Sequence, residues 1–193
     1  MLLLLSSCSL RGHQLEEWTV TAATPQHYRA KVEKALVLGE SKKNGWRAMI
    51  GGYAPYSNNP LSWAGVERLS AGYSIKSKEL PYIIYIQWYS LANKMAFEKS
   101  ITIPESIREE MRVYHDVRCG SLDLLRPYKD NILLGLAPDG MISVFLNGGC
   151  FENELQFKVQ AAVTPVPEDF IFPELDAEDK AYVDEHGVPT GSW

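Results

Sequence analysis

The chain has 193 residues, 46% hydrophobic and 22% charged, with a net charge of -5. That supplies enough apolar surface for one core, and the length does not demand two domains. No run of Lys or Arg exceeds Lys42-Lys43 and no basic stripe is available for a phosphate backbone, which argues against nucleic acid.

The first informative stretch is Leu5-Ser6-Ser7-Cys8, reached through four consecutive leucines. An apolar run that ends in small residues before a cysteine is what a lipoprotein signal peptidase cuts. Cys8 is therefore expected to become the lipidated first residue of a mature envelope protein on the periplasmic face. The run is shorter than a normal signal peptide and carries no basic residue before it, so the natural start is expected upstream. No later segment approaches 18 consecutive apolar residues, and attachment is expected through lipid at Cys8 rather than a spanning helix.

Residues 9–164 read as one β-rich domain, mainly antiparallel and either sandwich-like or half-barrel, with one short helix. Trp18 to Thr24 and Val32 to Leu38 have strand character and predict an opening antiparallel pair around the turn Pro25-Gln26-His27-Tyr28. Gly45 to Gly52 predicts a third strand whose glycine end permits a bulge. The segment from Tyr53 to Gly72 is too rich in turn formers for a regular element. It carries Tyr53, Tyr56 and Trp63, with Tyr73 just beyond, and two readings stay open: a recognition surface, or a lid folded over the core.

Pro81 to Ser90 alternates with apolar residues on both faces, which predicts a central strand. Met95 to Ile103 pairs back with it, and a short helix follows with Pro104 at its first position and Glu105 to Met111 after it, packed through Ile107 and Met111. Asn131 to Ala137, Pro138-Asp139-Gly140 and Met141 to Leu146 spell a hairpin. Glu154 to Ala162 closes the sheet by its period of two, and Leu175 to Glu185 suggests a late amphipathic helix.

From Pro165 to Trp193 there are eight acids, among them Glu174, Asp176, Glu178 and Asp179, against Lys180 alone, so this tail carries -7 and the rest about +2. Such a tail is expected to be a solvated end or a partner-binding element. If Cys8 is lipidated, Cys119 and Cys150 remain as an even pair, open to a disulfide or to two buried thiols. A bridge closing the loop of about 32 residues contributes roughly 3 to 4 kcal/mol in the chain-entropy model.

The motifs with strong chemical constraints are missing: no Gly-rich phosphate loop, GxSxG elbow, HExxH helix or CxxC is present. No cofactor or structural metal is expected. An enzyme would need an unadvertised site, with Tyr114-His115-Asp116 as base and Ser62 or Ser70 as nucleophile.

Taken together, Leu5-Ser6-Ser7-Cys8, Trp18 followed by Ala23-Thr24-Pro25 and Tyr28, Gly45-Trp46 with Gly51-Gly52, and Leu80-Pro81 leading to Gln87-Trp88-Tyr89-Ser90 resemble a bacterial lipoprotein family known as domain of unknown function 2931. Phe97 with Ile101-Thr102-Ile103-Pro104, and Leu134-Gly135-Leu136-Ala137-Pro138-Asp139-Gly140 before Val144-Phe145-Leu146, extend the resemblance over roughly Trp18 to Val163. The short leader and the acidic tail depart from that pattern. The resemblance implies a lipoprotein found beside type VI secretion lipase effectors, where a periplasmic partner neutralises the toxin. A protein-binding module is the function so implied, with a structural or cell-wall-associated envelope lipoprotein as the competing class.

Overall fold

The computed structural model describes residues 14–63, 72–120, 124–125, 127–191 and 193. Cys8 and Ser70 lie outside them, as does the side chain of Cys119.

The chain runs β1 (Glu17–Ala23), β2 (Ala30–Gly39), β3 (Gly45–Tyr53), β4 (Ser74–Lys76), β5 (Pro81–Ser90), β6 (Met95–Thr102), α1 (Glu105–Arg112), β7 (Arg118–Cys119), β8 (Leu124–Leu125), β9 (Asn131–Leu136), β10 (Met141–Gly148), β11 (Phe151–Gln160), β12 (Ala162–Thr164) and α2 (Ala177–His186). Two five-stranded sheets result. The first is ordered β11-β10-β9-β1-β4 and the second β12-β6-β5-β2-β3, with β7 and β8 forming a separate small ladder. The pairing is antiparallel except between β1 and β9, which run parallel from Thr19↔Asn131 to Ala23↔Gly135.

The sheets stack through their inner faces. Trp18, Val20 and Ala22, with Ile132, Leu134, Leu136, Ile142, Val144 and Leu146, face Val32, Ala35, Val37, Ile84, Ile86 and Trp88 in one buried core. Along most strands these residues alternate with the period of two, and on β2 a register shift between Val32 and Lys34 carries the row from Val32 to Ala35. β5 is the central strand of the second sheet, paired with both β2 and β6. The hairpin at Pro138-Asp139-Gly140 forms as its turn residues dictate, with Gly140 at φ 88°, a conformation that costs a side-chain-bearing residue energy. Past it, buried Ala161 carries the chain from β11 on the edge of one sheet to β12 on the edge of the other.

The opening antiparallel pair does not exist. β1 and β2 belong to different sheets, because the connector through Pro25 and His27, the latter at φ 69°, crosses the sandwich instead of reversing within a sheet. Strand patterning is identical for both outcomes, and only long-range pairing decides between them. Pro104 also sits one residue earlier than its sequence suggests, as the N-cap of α1, while Ile107 and Met111 are buried as expected.

A third layer covers the outer face of the first sheet. Ala23, Tyr28, Trp63, Leu133, Ala137 and Trp193 form a second buried cluster, with Met141, Phe145, Tyr182 and Val183 packed against it. The acidic tail is therefore part of the fold and not a solvated end. It explains why all six residues of β9 are buried: both faces of that strand meet apolar neighbours.

Candidate functional site

The tail is fixed by charge at one end and by aromatic packing along its length. Asp176 caps α2 by accepting a hydrogen bond from the Asp179 backbone N–H at 2.9 Å, and Gly187 ends the helix at φ 73°. Arg29, the residue before β2, then clamps the first turn. Its Nε donates to Asp179 Oδ2 at 2.5 Å and a terminal nitrogen donates to Asp176 Oδ2 at 2.5 Å. His27 Nδ1 lies 3.0 Å from the other oxygen of Asp179, so this buried carboxylate is held from two sides. Desolvation works against the charge on Arg29, but the hydrogen bond and charge of Asp179 and the charge of Asp176 outweigh it and raise the guanidinium pKa. The Asp179 backbone N–H, aided by Arg29, holds the Asp176 carboxyl below its ordinary range.

Rings continue the contact. His27 stacks on Tyr182 with centroids 4.2 Å apart, and Tyr182 stacks on His186 at the same distance. Tyr28 donates from its hydroxyl to the Gly187 carbonyl at 3.0 Å, and its ring meets Trp193 edge-on at 5.8 Å.

The aromatic segment divides into two populations. Tyr53, Tyr56 and Tyr73 are exposed by 53%, 44% and 58%, whereas Trp63 is buried at 7%. Trp63 is thus not a surface anchor, and for this ring the lid reading holds. It lies between Phe145 and Trp193, with centroids 5.8 and 5.7 Å away, directly above Gly135. A Cβ at Gly135 would stand 2.6 Å from the indole, so the glycine admits the ring. The Trp63 carbonyl also ends a polar ladder across the sheet: Asn153 donates to it at 3.5 Å, Asn147 to Asn153, and Asn131 to Asn147 at 2.6 Å.

Tyr56 links the two regions that the sequence keeps apart. A parallel bridge joins it to Thr24, and the Arg29 guanidinium sits 5.3 Å above its ring while holding Asp176 and Asp179. Tyr53 is close by, opposite Lys31 in the β2–β3 ladder. Tyr73 stands apart: its N–H bonds the Ala48 carbonyl, five residues or roughly 16 Å along β3 from Tyr53. Of the four acids expected to bind a partner, Asp176 and Asp179 are occupied by Arg29, while Glu174 and Glu178 face solvent. Arg29 has no signature in the sequence, where an isolated arginine before a strand carries no signal.

The family model described as "Protein of unknown function (DUF2931)" matches residues 7–191. The chain belongs to this family. No curated protein and no solved structure matches it.

In this DUF2931 domain His115 and Ser62 each have other neighbours, and Ser70 lies outside the described residues. The ring of His115 faces Glu110, with Nε2 3.7 Å from Oε1, and meets Phe151 edge-on at 5.0 Å, while Asp116 is exposed. The Ser62 carbonyl accepts a hydrogen bond from the Ser57 hydroxyl at 2.5 Å. Beside His115, buried Lys129 bridges Glu110 and Glu154 at 2.8 Å each. Burial opposes its charge, but the two carboxylates prevail and raise its pKa, so the amine is a charged tie between α1 and β11. Cys150 is disulfide-bonded, and the side chain of Cys119, its expected partner, lies outside the described residues. Among the described residues no group of three or more His, Cys, Asp or Glu is placed to hold a metal, and no helix is long and apolar enough to cross a membrane. A shallow cavity of about 210 Å³ lined by Gln14, Leu15, Lys78, Leu80 and Arg112 contains none of the candidate catalytic side chains.

Proposed function

We propose that this chain is a protein-binding module of the bacterial envelope, anchored through lipid on Cys8, and that its partner is a secreted toxin of the lipase type which it neutralises. The observation that carries this reading is the Arg29 junction. Through it an exposed tyrosine and an acidic helix, more than 100 residues apart in sequence, become one continuous surface. Aromatic rings of few rotamers surrounded by charge are what protein interfaces use as anchors and rim. The exposed acids Glu174 and Glu178 favour a basic partner and speed its approach.

Two experiments test it. Affinity capture from envelope extracts of the native host is expected to return one stoichiometric protein, lost with Tyr56→Ala. A partner bound equally well by Tyr53→Ala and Tyr56→Ala forms would place binding elsewhere. Cys8→Ser in the full gene should move the protein from the membrane to the soluble fraction, and unchanged fractionation would refute the anchor.

A further inference from the structure

The segment between β12 and α2 crosses the outer face of the second sheet as a belt. It leaves β12 at Thr164, opposite Ala96, and reaches Tyr89 and Lys31, which lie in the same cross-strand row of the ladders. Phe170 stacks on Tyr89 at 3.8 Å, Phe172 meets both rings edge-on at 5.0 and 6.0 Å, and the Lys31 ammonium lies 5.2 Å over Phe170. An extended chain turns alternate side chains to opposite sides, so with Phe170 and Phe172 facing the sheet, Ile171 faces out. It is 87% exposed, the most exposed of the large apolar residues described.

A single exposed aliphatic residue is ordinarily unremarkable. Ile171 differs because the rings on either side fix it in place, so ordering it costs a partner little. Its surroundings are also acidic on balance, with Glu168, Asp169 and Glu174 all exposed within three residues of it against Lys31 over Phe170. We propose that Ile171 is a docking knob for a protein that offers an aliphatic pocket rimmed by Arg or Lys. This rests on the protein-binding reading above and gives it a contact residue and a partner chemistry.

Panning a random-peptide phage library against the purified full-length chain tests the proposal without a known partner. Enriched peptides are expected to place Arg or Lys beside Leu, Ile or Phe. They should bind Ile171→Asp about ten- to a hundredfold more weakly, the worth of one buried aliphatic side chain. Binding should be unchanged by Leu155→Asp, the same kind of substitution at an exposed aliphatic residue on β11. Peptides without basic residues, or peptides indifferent to Ile171→Asp, would overturn it. Binding lost only with Tyr73→Ala would sink the belt site and leave the protein-binding reading standing, whereas failure to enrich any peptide would count against both.

Discussion

The two sheets of this sandwich share an inner core but differ on their outer faces. On the first sheet Leu133, Ala137 and Phe145 lie beneath Trp63, Tyr182 and Trp193. On the second, the belt covers only the end around Tyr89. Further along, Leu36 is exposed, Lys34 lies 5.7 Å over Tyr85, and the Tyr85 hydroxyl donates to Glu98 at 2.8 Å. A polar rim of this kind leaves a sheet face stable in water, whereas a face of Leu, Ala and Phe needs a cover. The tail is that cover. Under the proposed function, stability and recognition depend on the same contacts at Arg29.

The sharpest way to break the contrast is Trp63→Ala, which empties the centre of the covering layer. It should cost about 3–5 kcal/mol and lower Tm by roughly 6–20 °C. A Tm within a few degrees of wild type would mean that the covered face does not need its cover. Next is Asp179→Ala, which leaves Arg29 and His27 without their shared buried carboxylate. Because Arg29 is partly solvated and retains Asp176, about 2–3 kcal/mol is expected in denaturant melts, somewhat below the loss for a fully buried pair.

Acid should weaken the same clasp. The Asp176 carboxyl has a folded-state pKa held down first by the Asp179 N–H and also by Arg29. A depressed carboxyl pKa contributes stability above the ordinary aspartate value and loses it as pH falls through the folded value, so the effect lies below about pH 4. Asp176→Asn should flatten the fall in Tm through that range, and an unaltered acid limb would assign it to other carboxylates, Glu40 beside Arg112 among them.

The open face should respond least. Leu36→Ser is expected to change stability by less than about 0.5 kcal/mol. Tyr85 offers a spectroscopic check there: burial first, then Glu98, push its pKa up to about 12. Its neutral-form contribution is present below the ordinary tyrosine value of about 10 and vanishes as pH rises through about 12. A tyrosinate titration without a late-ionising component missing from Tyr85→Phe would contradict that environment.

Much of the β architecture could be read from the residues. Pro81 to Ser90 declares a central strand by its apolar residues on both faces, and Pro138-Asp139-Gly140 declares a hairpin by its turn chemistry, since both signals are local. What was not legible is long-range. Trp18 to Thr24 looks the same whether its neighbour is β2 or, as found, β9 and β4. The parallel β1–β9 pair joins residues 112 apart, and no local pattern encodes it. The candidate site was legible in pieces: of the two readings open for the aromatic segment, Tyr53 and Tyr56 are exposed, but Trp63 has the same composition signal and is buried. Eight acids against one lysine suggest solvation, because composition gives no hint that Arg29 and His27 wait for two of them, nor that Ile171 is lifted into solvent by its anchored neighbours.

The measurement that tests the account most directly is native-state hydrogen exchange on α2. If the tail is the third layer of the fold, the α2 amides from Ala181 to His186 should exchange with protection approaching that of β9, and Arg29→Gln should lower their protection while leaving that of β5 unchanged. Exchange of α2 at rates near those of an unstructured peptide in the wild-type chain would show that the tail does not cover the sheet, and the clasp with the surface built on it would fall together.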